Sequence, residues 1–140
     1  MNYLLDTNVL CEPTRPAPDP GVLAWLAEVD EDRLHLSAVT LAEVQRGISR
    51  LPRGMRSERI GRWLARDVLD RFGDRILPVN QAVAVQWGQT MAEAESKGQT
   101  MNALDGFIAA TAVVNDLTLV TRNDADFREA VARIVNPWRA

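Results

Sequence analysis

Short apolar runs alternate along this chain with segments whose apolar residues recur at helical spacing. That alternation restricts the chain to an α/β fold. Tyr3-Leu4-Leu5 reads as a strand running into Asp6, Leu34 to Val39 as a second, Arg75 to Val79 as a third and Leu117 to Thr121 as a fourth. Ile134-Val135 reads as a short last strand. Between them, Pro18-Asp19-Pro20 opens a helix with Val22, Leu23, Leu26 and Val29 on one face. A helix over Leu41 to Leu51 breaks at Pro52-Arg53-Gly54, and a longer one carries Ile60, Trp63, Leu64, Val68 and Leu69 towards Gly73. Gln81 to Lys97 is predicted helical up to Gly98, Leu104 to Val114 is an apolar, alanine-rich helix suited to burial, and Asp124 to Ala132 is the last helix. Hairpin signals are few. The expectation is a parallel sheet of four to five strands between two helical layers, a three-layer α/β/α fold in which ligands bind beyond the carboxyl ends of the strands.

A chain of 140 residues fits one domain, 1–140, with a real core. The first residues reach a carboxylate at position 6, unlike a signal peptide, and no apolar run approaches the ~20 residues that span a bilayer. The expected location is therefore the cytoplasm, with no membrane contact. One cysteine, Cys11, excludes an internal disulfide and a cysteine-based zinc cluster. One histidine, His35, in an alternating strand, argues against His-rich metal sites and a His-centred triad.

The acidic residues carry the chemistry. Singly, each has a structural explanation. Asp6 suits a turn or the cap of a short helix beginning at Thr7. Thr40-Leu41-Ala42-Glu43 matches a capping box. Asp105 lies three residues after Asn102 at a helix start, where a carboxylate meets the positive end of the dipole. Asn123, Asp124 and Asp126 surround the start of another helix. Jointly, they fall at junctions where a strand ends or a helix begins, and in a parallel sheet such junctions share one edge. Carboxylates brought together repel and raise their own pKa values, a penalty that a divalent cation removes. Oxygen ligands without His or Cys point to Mg²⁺, with Mn²⁺ as a substitute, and to phosphodiester hydrolysis.

Leu4-Leu5-Asp6-Thr7-Asn8-Val9-Leu10 resembles the opening strand of the PIN-domain nucleases. Ser37-Ala38-Val39-Thr40-Leu41-Ala42-Glu43 with Gly47 resembles their second acidic motif, and Asp105-Gly106-Phe107-Ile108-Ala109-Ala110-Thr111-Ala112 their third. Leu119-Val120-Thr121-Arg122-Asn123 with Asp126-Phe127 resembles the fourth. With Asn136-Pro137-Trp138 near the end, the whole chain looks most like the VapC toxins, in their FitB-like branch. The resemblance implies a Mg²⁺-dependent endoribonuclease, the toxin of a type II toxin–antitoxin pair. Asp6 and Asp105 would ligate metal, and Glu43 would bind metal or orient its water. Asn8 would hold the site by hydrogen bonds, with Thr121 supporting it. Position 123 is Asp in some relatives and Asn123 here, so Asn123, Asp124 and Asp126 all stand for the fourth corner, Asp126 ranked first. The third motif has Asn102 where relatives often have Pro.

Net charge is −3, yet Arg46, Arg50, Arg53, Arg56, Arg59, Arg62 and Arg66 share one segment with a single acid, Glu58. This stretch is a solvated face, an RNA-backbone track in which Arg46, Arg50 and Arg53 contact RNA, or a partner surface. The resemblance implies an RNA substrate, a small DNA-binding antitoxin whose tail blocks the site, a homodimer and a higher assembly with the antitoxin. Trp63, Leu64 and Trp87 could serve such contacts or pack in the core. The competing readings are a PIN nuclease of RNA processing and a catalytically weak PIN-like binding module. A phosphatase with Asp6 as nucleophile needs a second Asp two residues on, where this chain has Asn8.

Overall fold

The computed structural model describes residues 1–139, so Ala140, the last residue of the expected domain, lies outside the described residues. Five strands, β1 (Tyr3–Leu5), β2 (Leu34–Ser37), β3 (Ile76–Leu77), β4 (Thr118–Val120) and β5 (Ile134–Val135), form one sheet in the order β3-β2-β1-β4-β5. Every pairing is parallel; Leu4 stands opposite both His35 and Leu119. The helices are α1 (Thr7–Cys11), α2 (Pro20–Glu28), α3 (Ala38–Arg50), α4 (Met55–Trp63), α5 (Gln81–Ser96), α6 (Ala103–Val114) and α7 (Asp124–Phe127). Beyond α4 the chain continues as a π-helical stretch, Leu64–Asp70.

Because successive side chains of a strand face opposite sides, β1 feeds two cores. Leu5 packs with Val9, Val22, Leu36, Val44, Leu64 and Val68 on one side. Leu4 packs with Ile108, Ala109, Ala112, Leu119 and Phe127 on the other. The expected three-layer arrangement with a parallel sheet is what the chain adopts. Its alanine-rich α6 is buried from Ile108 to Ala112 because small side chains let the helix lie close to the sheet. From β1 the chain builds β2 and β3 to one side, then returns to place β4 on the other. A crevice therefore opens beyond the carboxyl ends of β1 and β4.

Several local expectations are corrected. Thr40 does not cap α3: Ser37 does, its hydroxyl accepting from the Val39 N–H at 3.0 Å, so the second strand stops at Ser37. Thr40 is buried inside the helix and its hydroxyl finds no hydrogen-bond partner among the described residues. Glu43 is thereby released from the capping role. The third strand is confined to Ile76–Leu77, and the last helix to Asp124–Phe127 rather than extending to Ala132. Gly98 follows the end of α5 at φ 70°, a left-handed conformation that glycine adopts freely. No helix among the described residues is long and apolar enough to cross a membrane.

Candidate active site

Asp6 follows the last residue of β1, and its backbone N–H extends the ladder by donating to the Val120 carbonyl at 2.9 Å. The chain then turns into α1 with Asp6 as the cap. One carboxylate oxygen, Oδ1, accepts from the Thr7 N–H at 2.8 Å, and Oδ2 accepts from the Thr121 hydroxyl at 2.8 Å. Only 5% of Asp6 is exposed. Burial raises its pKa, and the bonds from Thr121 and Thr7 offset that only in part.

Glu43 comes from α3. Its Oε1 accepts from the Thr7 hydroxyl at 2.9 Å, so Thr7 joins two acids: its N–H serves Asp6 and its hydroxyl serves Glu43. The Glu43 pKa is also raised, chiefly by burial, with the Thr7 bond lowering it and the Asp6 charge adding to the rise. Asp105 stands in the first turn of α6, which Asn102 caps by accepting from the Leu104 N–H at 2.8 Å. Burial, then the charges of Asp6, Glu43 and Asp126, push Asp105 up to about 6.

Asp6, Glu43 and Asp105, from three separate elements, line one cavity of about 440 Å³ together with Asn8 and Asn123. The Asn8 Oδ1 accepts from the Arg122 N–H at 3.3 Å, tying α1 to the segment after β4. The Thr121 hydroxyl donates to Asp6 and accepts from the Asn123 N–H at 3.0 Å, so its proton direction is fixed. The other two acids at this corner sit differently. Asp124 is half-buried, accepts from Asn136 Nδ2 at 3.4 Å and pairs with Arg128 at 3.9 Å. Asp126 is exposed and lines a separate cavity with Gln86, Lys97 and Arg128, while its charge still reaches Asp105.

The donor set is oxygen throughout. Burial beside Glu43 pushes the Cys11 thiol up to about 11, so it stays protonated and is a poor ligand. Such a set fits a hard divalent cation. Among the described residues no three acidic, His or Cys side chains already form a closed coordination cluster. Mg²⁺ is bound through one or two carboxylates while keeping several waters, and does not require one.

Residues that the sequence did not single out complete the cavity. Glu12, 4% exposed, accepts from the Asp19 N–H at 2.8 Å and so fixes the start of α2; nothing in the motif pattern marks it. Thr7, Arg122 and Trp138 lie inside segments already conspicuous for other residues, and only the fold reveals that they face the acids. Arg46, Arg50 and Arg53 are exposed and none lines this cavity. Arg59, Arg62 and Arg66 line a separate cavity beside Trp63. Leu64 is buried in the core, and Trp87 stacks on Phe107 with centroids 4.9 Å apart.

Residues 3–132 match the PIN domain. Toxin FitB of Neisseria gonorrhoeae is 39% identical over 135 residues, covering 96% of this chain and 97% of that protein. VapC ribonuclease Y4jK of Sinorhizobium fredii is 36% identical over 135 residues, covering 96% of each. Among solved structures, FitAB bound to a DNA fragment superposes with a TM-score of 0.92 at 38% identity, covering 97% of this chain and 95% of that one.

Proposed function

The chain belongs to the PIN-domain family, and from that premise we propose that it is an endoribonuclease, the toxin of a type II toxin–antitoxin pair. The observation that carries the site is the gathering of Asp6, Glu43 and Asp105 in one cavity, where burial first, and then the neighbouring carboxylate charges, push the Asp105 pKa up to about 6. PIN-domain ribonucleases depend on a divalent metal. Here the metal is Mg²⁺, with Mn²⁺ as a substitute; Asp6 and Asp105 would bind it directly, and Glu43 directly or through a bound water. The bound ion would neutralise these acids, stabilise charge on the phosphate oxygens and lower the pKa of the attacking water.

The chain's own residues set the conditions for that chemistry. Thr121 and Thr7 fix the two oxygens of Asp6, so this carboxylate needs no reorientation. Thr7 holds Glu43 towards the same point. Asp105 accepts no hydrogen bond among the described residues, which leaves both its oxygens available once its proton is lost. Asn8 and Thr121 support the frame, Asn123 supplies an uncharged oxygen, and Asp126 contributes charge from the rim, with Asp124 engaged in holding the loop.

The substrate is RNA, cleaved by hydrolysis of a phosphodiester bond in the cytoplasm. The partner is a small DNA-binding antitoxin, in keeping with the DNA-bound FitAB structure, and the toxin acts as a homodimer that assembles further with it. Residues 1–140 act as one PIN domain. The exposed Arg46, Arg50 and Arg53 serve RNA or partner binding outside the cavity. Incubating purified chain with RNA and Mg²⁺, with and without EDTA, beside Asp6→Asn tests the reading. Cleavage lost in EDTA and in the variant is expected; cleavage that survives either overturns the metal mechanism. No cleavage of several RNAs by wild type or variant would leave a binding module.

A further inference from the structure

Two arginines line the acidic cavity, and their surroundings differ. Arg15 is answered by Glu12, whose Oε1 lies 3.5 Å from its guanidinium. Arg122 makes no ion pair among the described residues. Its guanidinium instead lies over the Trp138 ring, 5.4 Å from the centroid. A ring face attracts a cation without neutralising it and leaves the guanidinium N–H edge free to donate.

The placement is built. Asn136 Nδ2 donates to the Arg122 carbonyl at 3.1 Å, and Asn136 Oδ1 accepts from the Trp138 N–H at 3.0 Å. One side chain thus tethers both members of the pair. The Arg122 N–H is held by Asn8 on the other side.

We propose, on the ribonuclease reading above, that Arg122, seated on Trp138, holds an RNA phosphate at the lip of the acidic cavity. An RNA phosphate entering a cavity lined by Asp6, Glu43, Asp105 and the Arg15-paired Glu12 meets repulsion from the acids. An unneutralised, pre-positioned guanidinium offers it charge and a paired set of donors. Trp138 and Asn136 are positioning residues that keep that donor edge in place.

The test is binding of fluorescein-labelled single-stranded RNA to the full chain in EDTA, followed by anisotropy over a salt series. Arg122→Ala should weaken binding about tenfold, and the slope of log K against log salt should drop by about 0.7, one phosphate contact to a single strand. Arg122→Lys should keep the slope with intermediate affinity, because an ammonium does not stack on the ring as a guanidinium does. Arg71→Ala, which removes a positive charge paired with Glu31 outside the cavity, should change neither. Arg122→Ala matching Arg71→Ala, or wild type binding no tighter than Arg122→Ala, overturns the proposal. A parallel Mg²⁺ cleavage assay separates the two readings. Cleavage by wild type with KM indifferent to Arg122→Ala removes the phosphate contact and keeps the ribonuclease. Arg122-dependent binding without any cleavage keeps the contact and removes the ribonuclease.

Discussion

The Thr121 hydroxyl donates to Asp6 Oδ2 at 2.8 Å across the point where the sheet reverses its strand order. The bond joins the end of β4 to the end of β1 and is fully enclosed, since Thr121 has no exposed surface and Asp6 has 5%. Replacing Thr121 by Val keeps the shape and leaves a buried carboxylate oxygen without its donor. The expected loss of stability is about 1–3 kcal/mol, read by urea denaturation. Because the Thr121 bond lowers the Asp6 pKa, the variant should also bind Mg²⁺ more weakly at a given pH. Unchanged stability together with unchanged Mg²⁺ affinity would refute this role.

Asp6→Asn keeps the cap, since an amide oxygen still accepts from the Thr7 N–H, but removes the carboxylate charge proposed to bind metal. Cleavage should fall by roughly 10³-fold or more, on the scale of the several kcal/mol a metal contributes. Without metal the variant loses a desolvated charge but also the acceptor of the buried Thr121 hydroxyl, so its stability should stay close to that of wild type. A fall in melting temperature large enough to explain the lost activity would contradict the assignment.

Asp105 holds its proton more tightly in the folded chain, where its pKa is about 6, than in the unfolded chain. Folding therefore takes up a proton between the ordinary carboxylate value and about 6. The metal-free protein should be most stable below that window and lose stability as pH rises through it. Asp6 and Glu43, raised in the same direction, add to the trend. Mg²⁺ competes with these protons, so its stabilising effect should grow from about pH 5 to about pH 7. A thermal-melt series in EDTA and in Mg²⁺ reads both, and metal-free stability that rises across the window would refute the coupling.

Gly106 follows Asp105 and is buried where α6 crosses α5. A Cβ there would lie 2.7 Å from Met91 Sδ and 2.9 Å from Trp87 Nε1. Trp87 cannot yield freely, because its Nε1–H donates to the Ala103 carbonyl at 3.0 Å and its ring stacks on Phe107. Gly106→Ala should destabilise the chain by about 1–3 kcal/mol despite alanine's better helix propensity. A denaturation midpoint at or above wild type would show that the packing yields.

Strand and helix order was legible in the sequence because the apolar periods switch cleanly between them. The short reach of β3 was not, since its pairing with β2 extends only over Leu36–Ile76 and Ser37–Leu77, nor was the end of α7 at Phe127. The Thr40–Glu43 spacing suggested a capping box. Ser37, three residues earlier, won because β2 ends there and its hydroxyl meets the free Val39 N–H in the first turn of α3. In the site, the acids were visible as motif residues. Thr7 bridging two of them, Glu12 fixing α2 and Asn136 tethering Arg122 and Trp138 all depend on contacts that only the folded chain creates.

The most direct test of the metal site is a crystal structure of the chain soaked in Mn²⁺, with data collected at the manganese edge. The account predicts an anomalous peak in the cavity beneath Thr7, in direct contact with Asp6 and Asp105 and with Glu43 bonded directly or through water. A peak elsewhere, or a cavity that stays empty of manganese at saturating concentration near neutral pH, would contradict it.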